Sequence, residues 1–593
     1  VKVRVEGGRT LRLTAREFVA EGGEGKVWAR KGVAYKVYAD PARVLPQTKI
    51  AALQAVASPN VVVPDARLLH PDKGNPIGYS MRHVARAWAL GQLFARSFCD
   101  RHGFGPTDAH AVLGSMRDAI AAVHRAGVLI VDLSDVNVLI DPVDRRPSFI
   151  DTDSWQTPGH PATAVTPAVC DPFSAQRGFS EGSDWFAFAV LSFQLLVGIH
   201  PFRGKHPQVK GLAARMAAGL SVLDPDVSVP SACRPLSVIP PPYRAWFDAM
   251  FVHGRREPPP PSVHATSGFV LPPIRPARAP TSSALRIDAR GDAAGVIRQV
   301  VPGGDEVDLW LLTAAGVQRG VGGPIVYAPV DPHTPTALGR DPKSGAWLLA
   351  TVDDQGCLAL ASDRKLLDAR LNLSVGQLAA TPDGRIVALS SGNLVELEAF
   401  AAGPHALRVV PRTIGQVLPH ATMLASGVAI QNVLGRARVS LLSAPGLAPQ
   451  LAVPALDGLP ILDARYERGV LVVVAQTPDG GLRRVIVRCE ADGRRAQTHV
   501  EPLSADRETE ANAVDFVVTD AGIAVLRPDA DTLQVFERRA GRPLPARTVA
   551  TDGLGASWLA RGGDGSVFAI CGASVRRIGL QPERGAIPVR PAP

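Results

Sequence analysis

The sequence has little of what would hold a chain together by means other than a packed core. Its only cysteines are Cys99, Cys170, Cys233, Cys357, Cys489 and Cys571, and none forms a Cys-x-x-Cys pair. That spacing excludes a zinc ribbon and a dithiol redox motif, and sparse cysteine suits a reducing compartment. Charge is thin and mixed, with 20% charged residues, a net +9 and no long basic block. A scattered basic surface follows, not a nucleic-acid stripe. Long hydrophobic runs are missing. The most apolar stretch, Trp185 to Val197, is too short to cross a bilayer and contains Gln194, so it reads as a buried core helix. The first residues, Val1-Lys2-Val3-Arg4, alternate and carry charge where a leader would be apolar. The cytoplasm is the expected location.

What is present divides into unlike regions, as 593 residues require. Residues 1–256 begin with strand-like runs (Leu11-Arg12-Leu13, Lys26-Val27-Trp28, Val33 to Tyr38). They continue with helical periodicity from Ala109 to Ala126, where Val112, Met116, Ile120 and Val123 recur on one face. A small sheet (1–84) before a larger helical part (85–256) is expected. Residues 257–281 are Pro-rich, opening with Pro258 to Pro261, and predict a semi-rigid linker. From 282 to 585 short apolar runs alternate with turn signals such as Asp354-Gln355-Gly356, Asp383-Gly384, Asp479-Gly480 and Asp520-Ala521-Gly522. The units start near 346, 377, 420, 461, 513 and 556. Hairpins repeated at that period predict an all-β domain, a β-propeller of six or seven blades, with a pair of β-sandwiches as the alternative. Residues 586–593 form a tail.

Chemistry concentrates in residues 1–256. Glu21-Gly22-Gly23-Glu24-Gly25-Lys26-Val27 lies between two predicted strands, and glycines there would let backbone amides approach phosphates. Ala34-Tyr35-Lys36-Val37 places Lys36 on the following strand. Further on, Asp132-Leu133-Ser134-Asp135-Val136-Asn137 follows a helix end at Val123-His124-Arg125, and Asp151 stands in Ile150-Asp151-Thr152-Asp153-Ser154. Asp184-Trp185-Phe186 opens the apolar helix, and Gly198-Ile199-His200-Pro201-Phe202 closes it.

These motifs, in this order and spacing, resemble those of Ser/Thr protein kinases. The wording is similar to a divergent bacterial set of kinase-like proteins that resemble partners of von Willebrand factor A-type proteins and type 2C phosphatases. The resemblance covers Val1 to about Arg256 and implies a multidomain chain: an α+β two-lobed kinase-like fold followed by the all-β domain. It implies ATP and Mg2+ as cofactors. Gly22, Gly23, Gly25, Val27 and Lys36 would hold the nucleotide, with Met81 and Val84 beside the adenine. Asp132 would act on the substrate hydroxyl, and Asn137 and Asp151 would hold metal. It further implies that Asp184 braces the catalytic-loop backbone. The expected partner is a protein substrate or regulator, with neither nucleic acid nor membrane.

The chain departs from the family pattern at four places. Ile130-Val131 replace the usual His-Arg, and Ser134 replaces a lysine. The expected helix from Ala42 to Val56 holds no acid, with Lys49 where a glutamate would face Lys36; Glu21, Glu24 or Asp151 are the candidate replacements. No Ala-Pro-Glu occurs between Trp155 and Ser183, where Phe173-Ser174-Ala175-Gln176 stands near its place. A nucleotide-binding pseudokinase scaffold, or transfer of AMP or phosphate to another acceptor, are therefore the alternatives to a protein kinase.

Overall fold

The structure is a computed structural model. It describes residues 1–22, 24–229, 233–261, 285–303, 309–327, 329–341, 343, 345–403, 405–477, 481–490, 496–503, 514–519, 523–526, 532–537, 547–550, 554 and 558–580. Gly23, most of the expected linker, the expected start of the all-β domain at 282 and the tail 586–593 lie outside these residues.

The chain is multidomain. Its N-terminal domain begins with an antiparallel sheet of β1 (Lys2–Val5), β2 (Thr10–Arg12), β3 (Phe18–Glu21), β4 (Gly25–Arg30), β5 (Val33–Tyr38), β6 (Pro64–Leu69) and β7 (Pro76–Arg82), in the order β2-β1-β6-β7-β5-β4-β3. Lys31 and Gly32 both take positive φ (51° and 79°), the two-residue turn that matches strand twist. It fixes Lys36 opposite Val27 on β4 and opposite Tyr79 on β7. Helix α1 runs from Gln47 to Gln54, shorter than the expected Ala42 to Val56. Pro41 sits in a separate short turn and Pro46 stops the helix from extending backwards.

The helical part follows: α2 (Arg96–His102), α3 (Pro106–Arg125), α4 (Ser174–Arg177), α5 (Glu181–Val197), α6 (Leu212–Ala218) and α7 (Pro241–Phe251). Pro106 at the first position and the Asp108 carboxylate on the Gly105 N–H (2.8 Å) start α3. Its Val112, Met116, Ile120 and Val123 face the core. Helix α5 is the apolar stretch read from sequence. Ser180 and Ser183 cap it reciprocally, Gly198 ends it at φ 91°, and it is buried nearly all round. The first linker residues are tied to this domain, because the Trp246 indole donates to the Glu257 carbonyl (3.0 Å) and Arg117 to the Pro260 carbonyl (3.3 Å).

The C-terminal region is all-β. Its described strands form seven sheets of four or five strands. Their first strands begin at Ile297, Thr336, Gln377, Thr422, Ile461, Phe516 and Trp558. The sequence expectation missed the first of these and placed the second at 346. The strongest apolar run there, Trp347–Val352, is a second strand, buried by its neighbours. The true first strand, Thr336–Arg340, is short and contains Gly339, where a Cβ would fall 2.5 Å from the Gly384 carbonyl. Several first strands are joined to the next sheet by a polar side chain, half-buried at Gln299 and Gln377 and buried at Asp463 and Asp515. Gln299 exchanges two hydrogen bonds with Leu338 (2.5 and 2.9 Å), and Gln377 does so with Thr422 and Leu424 (both 2.7 Å). Asp463 accepts from the Val514 N–H, and Asp515 from the Leu559 N–H (both 2.8 Å). Trp558–Arg561 comes back beside Ile297–Pro302. Leu285–Asp292, the first strand of the region, pairs with the last, Ser574–Leu580.

The two domains touch over a broad face. Leu418 and Ala421 pack on the core of the N-terminal sheet, and His83 meets His420 ring to edge at 5.2 Å. Gln92 donates to the Leu462 carbonyl (2.6 Å), and Arg101 pairs with Asp463 (2.7 Å). No helix among the described residues is long and apolar enough to cross a membrane, and all six cysteines are free.

Candidate functional site

Two lysines and two aspartates form the polar centre of the N-terminal domain. Lys36, 6% exposed, donates to Asp151 Oδ1 (2.7 Å) and Asp153 Oδ2 (2.6 Å), and Glu24 lies 3.6 Å away. Lys49 from α1, 3% exposed, donates to the Asp153 carbonyl (2.7 Å). The Tyr38 hydroxyl donates to Asp153 Oδ2 (2.6 Å). Burial works against the Lys36 charge, but Asp153 and Asp151 hold its ammonium well above the ordinary lysine range. Burial also opposes ionisation of Asp153, yet Lys36 and the tyrosine hydroxyls keep its carboxyl below the usual range. Lys49 is pushed down by burial, with Asp153 and Glu24 opposing.

This arrangement answers the missing glutamate. The carboxylate facing Lys36 comes from Asp153, in the same short turn as Asp151, and not from the helix. Glu21 is not the replacement, since it pairs with Lys26 (3.1 Å). Glu24 is peripheral. Asp151 is a genuine partner, but 46% of its side chain is exposed, against 2% for Asp153.

The Asp132 loop is held from inside. Val131 has φ 61°, an outlier for a β-branched residue that persists only where neighbours enforce it. Asp184, 1% exposed, supplies that enforcement by accepting from the Ile130 N–H (2.8 Å), the Val131 N–H (2.9 Å) and His124 Nε2 (2.9 Å). Asp132 Oδ2 accepts from Asn137 Nδ2 (3.2 Å), and Thr166 Oγ1 donates to Asp132 Oδ1 (2.7 Å). The Ile150 N–H bonds the Asn137 carbonyl (2.9 Å), which ties the Asp132 loop to the Asp151 turn. Asp151 itself has φ 59°. Strain at Val131 and Asp151 thus brackets the site.

Of the remaining sequence candidates, Gly25 has a different reason for lacking a side chain. A Cβ there would fall 2.3 Å from the Val37 carbonyl, so strand pairing alone demands glycine. Gly22 is open, with nothing within 4 Å of where a Cβ would be. Val27 lies opposite Lys36 in the β4–β5 pair, and Met81 is opposite Ala34 in β5–β7. Val84 follows β7, next to His83, whose N–H bonds the Gly32 carbonyl (2.9 Å). Sequence reasoning passed over Asp153, Thr166 and Asp171. Asp171 makes a two-point ion pair with Arg256 (2.6 and 2.8 Å), tying the segment before α4 to the end of the helical part.

Among the described residues no three His, Cys, Asp or Glu side chains group as a metal cage. Asn137 turns its amide nitrogen to Asp132, which leaves its Oδ1 as an acceptor, and the half-exposed Asp151 follows Ile150, whose N–H bonds the Asn137 carbonyl. A magnesium ion bound through phosphates and water needs only one or two such protein oxygens, so this donor set fits it. Comparison with models of known protein families and with curated proteins returned no match to this chain.

Proposed function

We propose that the chain is an ATP-dependent protein kinase acting on Ser or Thr, with a two-lobed kinase-like N-terminal domain and a β-propeller that recruits its protein partner. The observation that carries this reading is the joining of Lys36 to Asp151 (2.7 Å) across 115 positions, with Asp151 tied through Ile150 to the loop of Asp132 and Asn137. These are the residues to which the resemblance to kinase motifs points.

In this reading Lys36 neutralises the α- and β-phosphates of ATP. Asp132 orients the acceptor hydroxyl and takes its proton as the oxygen bonds the γ-phosphorus and ADP leaves. Thr166 and Asn137 hold the Asp132 carboxylate for that task. Asn137 and Asp151 would hold Mg2+, which would supply charge neutralisation at the phosphates. The closed run of sheets, completed by Leu285–Asp292 on Ser574–Leu580, supports a seven-bladed ring. A von Willebrand factor A-type protein or a type 2C phosphatase is the proposed class of partner, and the cytoplasm the proposed location.

A nucleotide-binding scaffold without transfer is the second reading. What favours it is Ser134, 2% exposed, where a cation would steady the γ-phosphate. The decisive test incubates the purified chain with magnesium and γ-labelled ATP beside Lys36→Ala and Asp132→Asn. Label transferred by the wild type and lost in both variants supports the kinase. Nucleotide binding that Lys36→Ala abolishes, with no label transferred even to the native partner, selects the scaffold.

A further inference from the structure

The loop that carries Asp132 and Asn137 is held from inside by Asp184, but its outer side is not finished by the N-terminal domain. Asp135, between those two residues, turns outward. Its Oδ1 accepts from Nε2 of Gln476 (3.1 Å), a residue of the all-β domain. Gln476 ends the strand Val470–Gln476, is 6% exposed, and is fixed by its own N–H on the Pro460 carbonyl (2.9 Å). On the opposite side Asp135 abuts Gly91: the Gly91 N–H bonds the Asp135 carbonyl (3.3 Å), and a Cβ on Gly91 would fall 2.2 Å from Asp135 Oδ2. The Asp135 side chain is thus wedged between its own domain and the other one. Two neighbouring contacts, Arg101 with Asp463 and Gln92 with the Leu462 carbonyl, seat the same sheet there.

We propose that Gln476 is a positioning residue: the all-β domain, through Gln476 on Asp135, sets the geometry of the loop that presents Asp132 and Asn137. The N-terminal domain alone is then an incomplete site, and a partner that shifts the Val470–Gln476 strand changes transfer without touching nucleotide. The effect on rate rests on the kinase reading; the restraint on the loop does not.

A half-buried carboxylate that loses its side-chain donor from the other domain relaxes toward water or a new partner, and the loop moves with it. The full-length chain is the test system, with two readouts. One is hydrogen–deuterium exchange of peptides spanning residues 130–140. The other is steady-state kinetics with magnesium-ATP and an acceptor protein. Gln476→Ala is expected to speed exchange in those peptides and to lower kcat about tenfold, with KM for ATP changed less than about twofold. The reversed pair, Asp135→Asn with Gln476→Glu, lets residue 135 donate to residue 476 and is expected to restore both. If Gln476→Ala does not fold, Gln476→Glu alone, which keeps the shape and loses the donor, takes its place. Unchanged exchange in the folded single variant, or a reversed pair no better than the single variant, overturns the proposal. A wild-type chain that transfers no phosphate sinks the kinase reading instead, and the exchange readout still decides this one.

Discussion

The two domains bury polar groups in opposite ways. In the N-terminal domain five charged side chains gather at one place: Lys36, Lys49, Asp132, Asp153 and Asp184 are all nearly inaccessible, and the strained Val131 and Asp151 lie among them. In the all-β domain polar side chains recur at sheet junctions, where the half-buried Gln299 and Gln377 and the buried Asp463 and Asp515 each satisfy the backbone of the next sheet. The second pattern ties each sheet to the next and holds their register. The first has no such architectural necessity, since a core of this size could be built from apolar side chains at lower desolvation cost. Concentrated polarity with local strain is what makes this place the candidate site.

The contrast can be broken most severely at Asp132. Asp132→Asn keeps the shape and the Thr166 contact but removes the base that the proposed kinase requires, so on that proposal phosphoryl transfer should fall by about 10²–10⁴ while nucleotide affinity holds. A loss of binding as large as the loss of rate would count against the assignment. Next is Asp153→Ala, which strips Lys36 of its buried partner and should cost about 3–5 kcal/mol in chemical denaturation of the N-terminal transition. Gln377→Ala removes two junction hydrogen bonds and should cost the all-β domain about 1–2 kcal/mol without altering transfer. If Gln377→Ala proved as costly as Asp153→Ala, the supposed difference between concentrated and distributed polarity would disappear.

The smallest effect is in pH. His200 is buried, with Nδ1 accepting from the Phe202 N–H (3.2 Å) and Nε2 facing the Ala168 carbonyl (2.8 Å), and burial pushes its pKa down to about 3. Its folded-state pKa lies below the unfolded value of about 6.5. The stability from keeping it neutral is therefore complete above that value and is lost as pH falls toward 3. Melting temperature measured at pH 7 and pH 5 should drop less in His200→Gln than in the wild type. His83 and His102, both lowered to about 4 by burial at the contact between domains, should weaken that contact over the same acid range.

Much of the site was legible because the residues that carry it sit in short local motifs. Gly25 before Lys36 reports a hairpin, and the Asp132-to-Asn137 interval reports a loop. The Trp185 to Val197 run reports a buried helix whose first acid, Asp184, can face inward. Repeats in the second half were legible as hairpins but misplaced at 346, because an interior strand is more apolar than the one that begins the sheet. Asp153 was on the page as a letter in Ile-Asp-Thr-Asp-Ser. Nothing in its spacing distinguished it from Asp151 as the partner of Lys36.

The sequence by itself determined the division into a mixed first domain and a β-rich second one, and the identity of Lys36, Asp132, Asn137 and Asp151 as candidates. Periodicity and turn chemistry act over a few residues and survive in one dimension. Only the tertiary structure decided that Asp153 is the buried partner of Lys36, that Asp171 and Arg256 pair, and that Gln476 reaches Asp135. Those contacts join residues separated by 117, 85 and 341 positions. Their partners are chosen by which surfaces pack, a property of the whole fold that no local window of the chain contains.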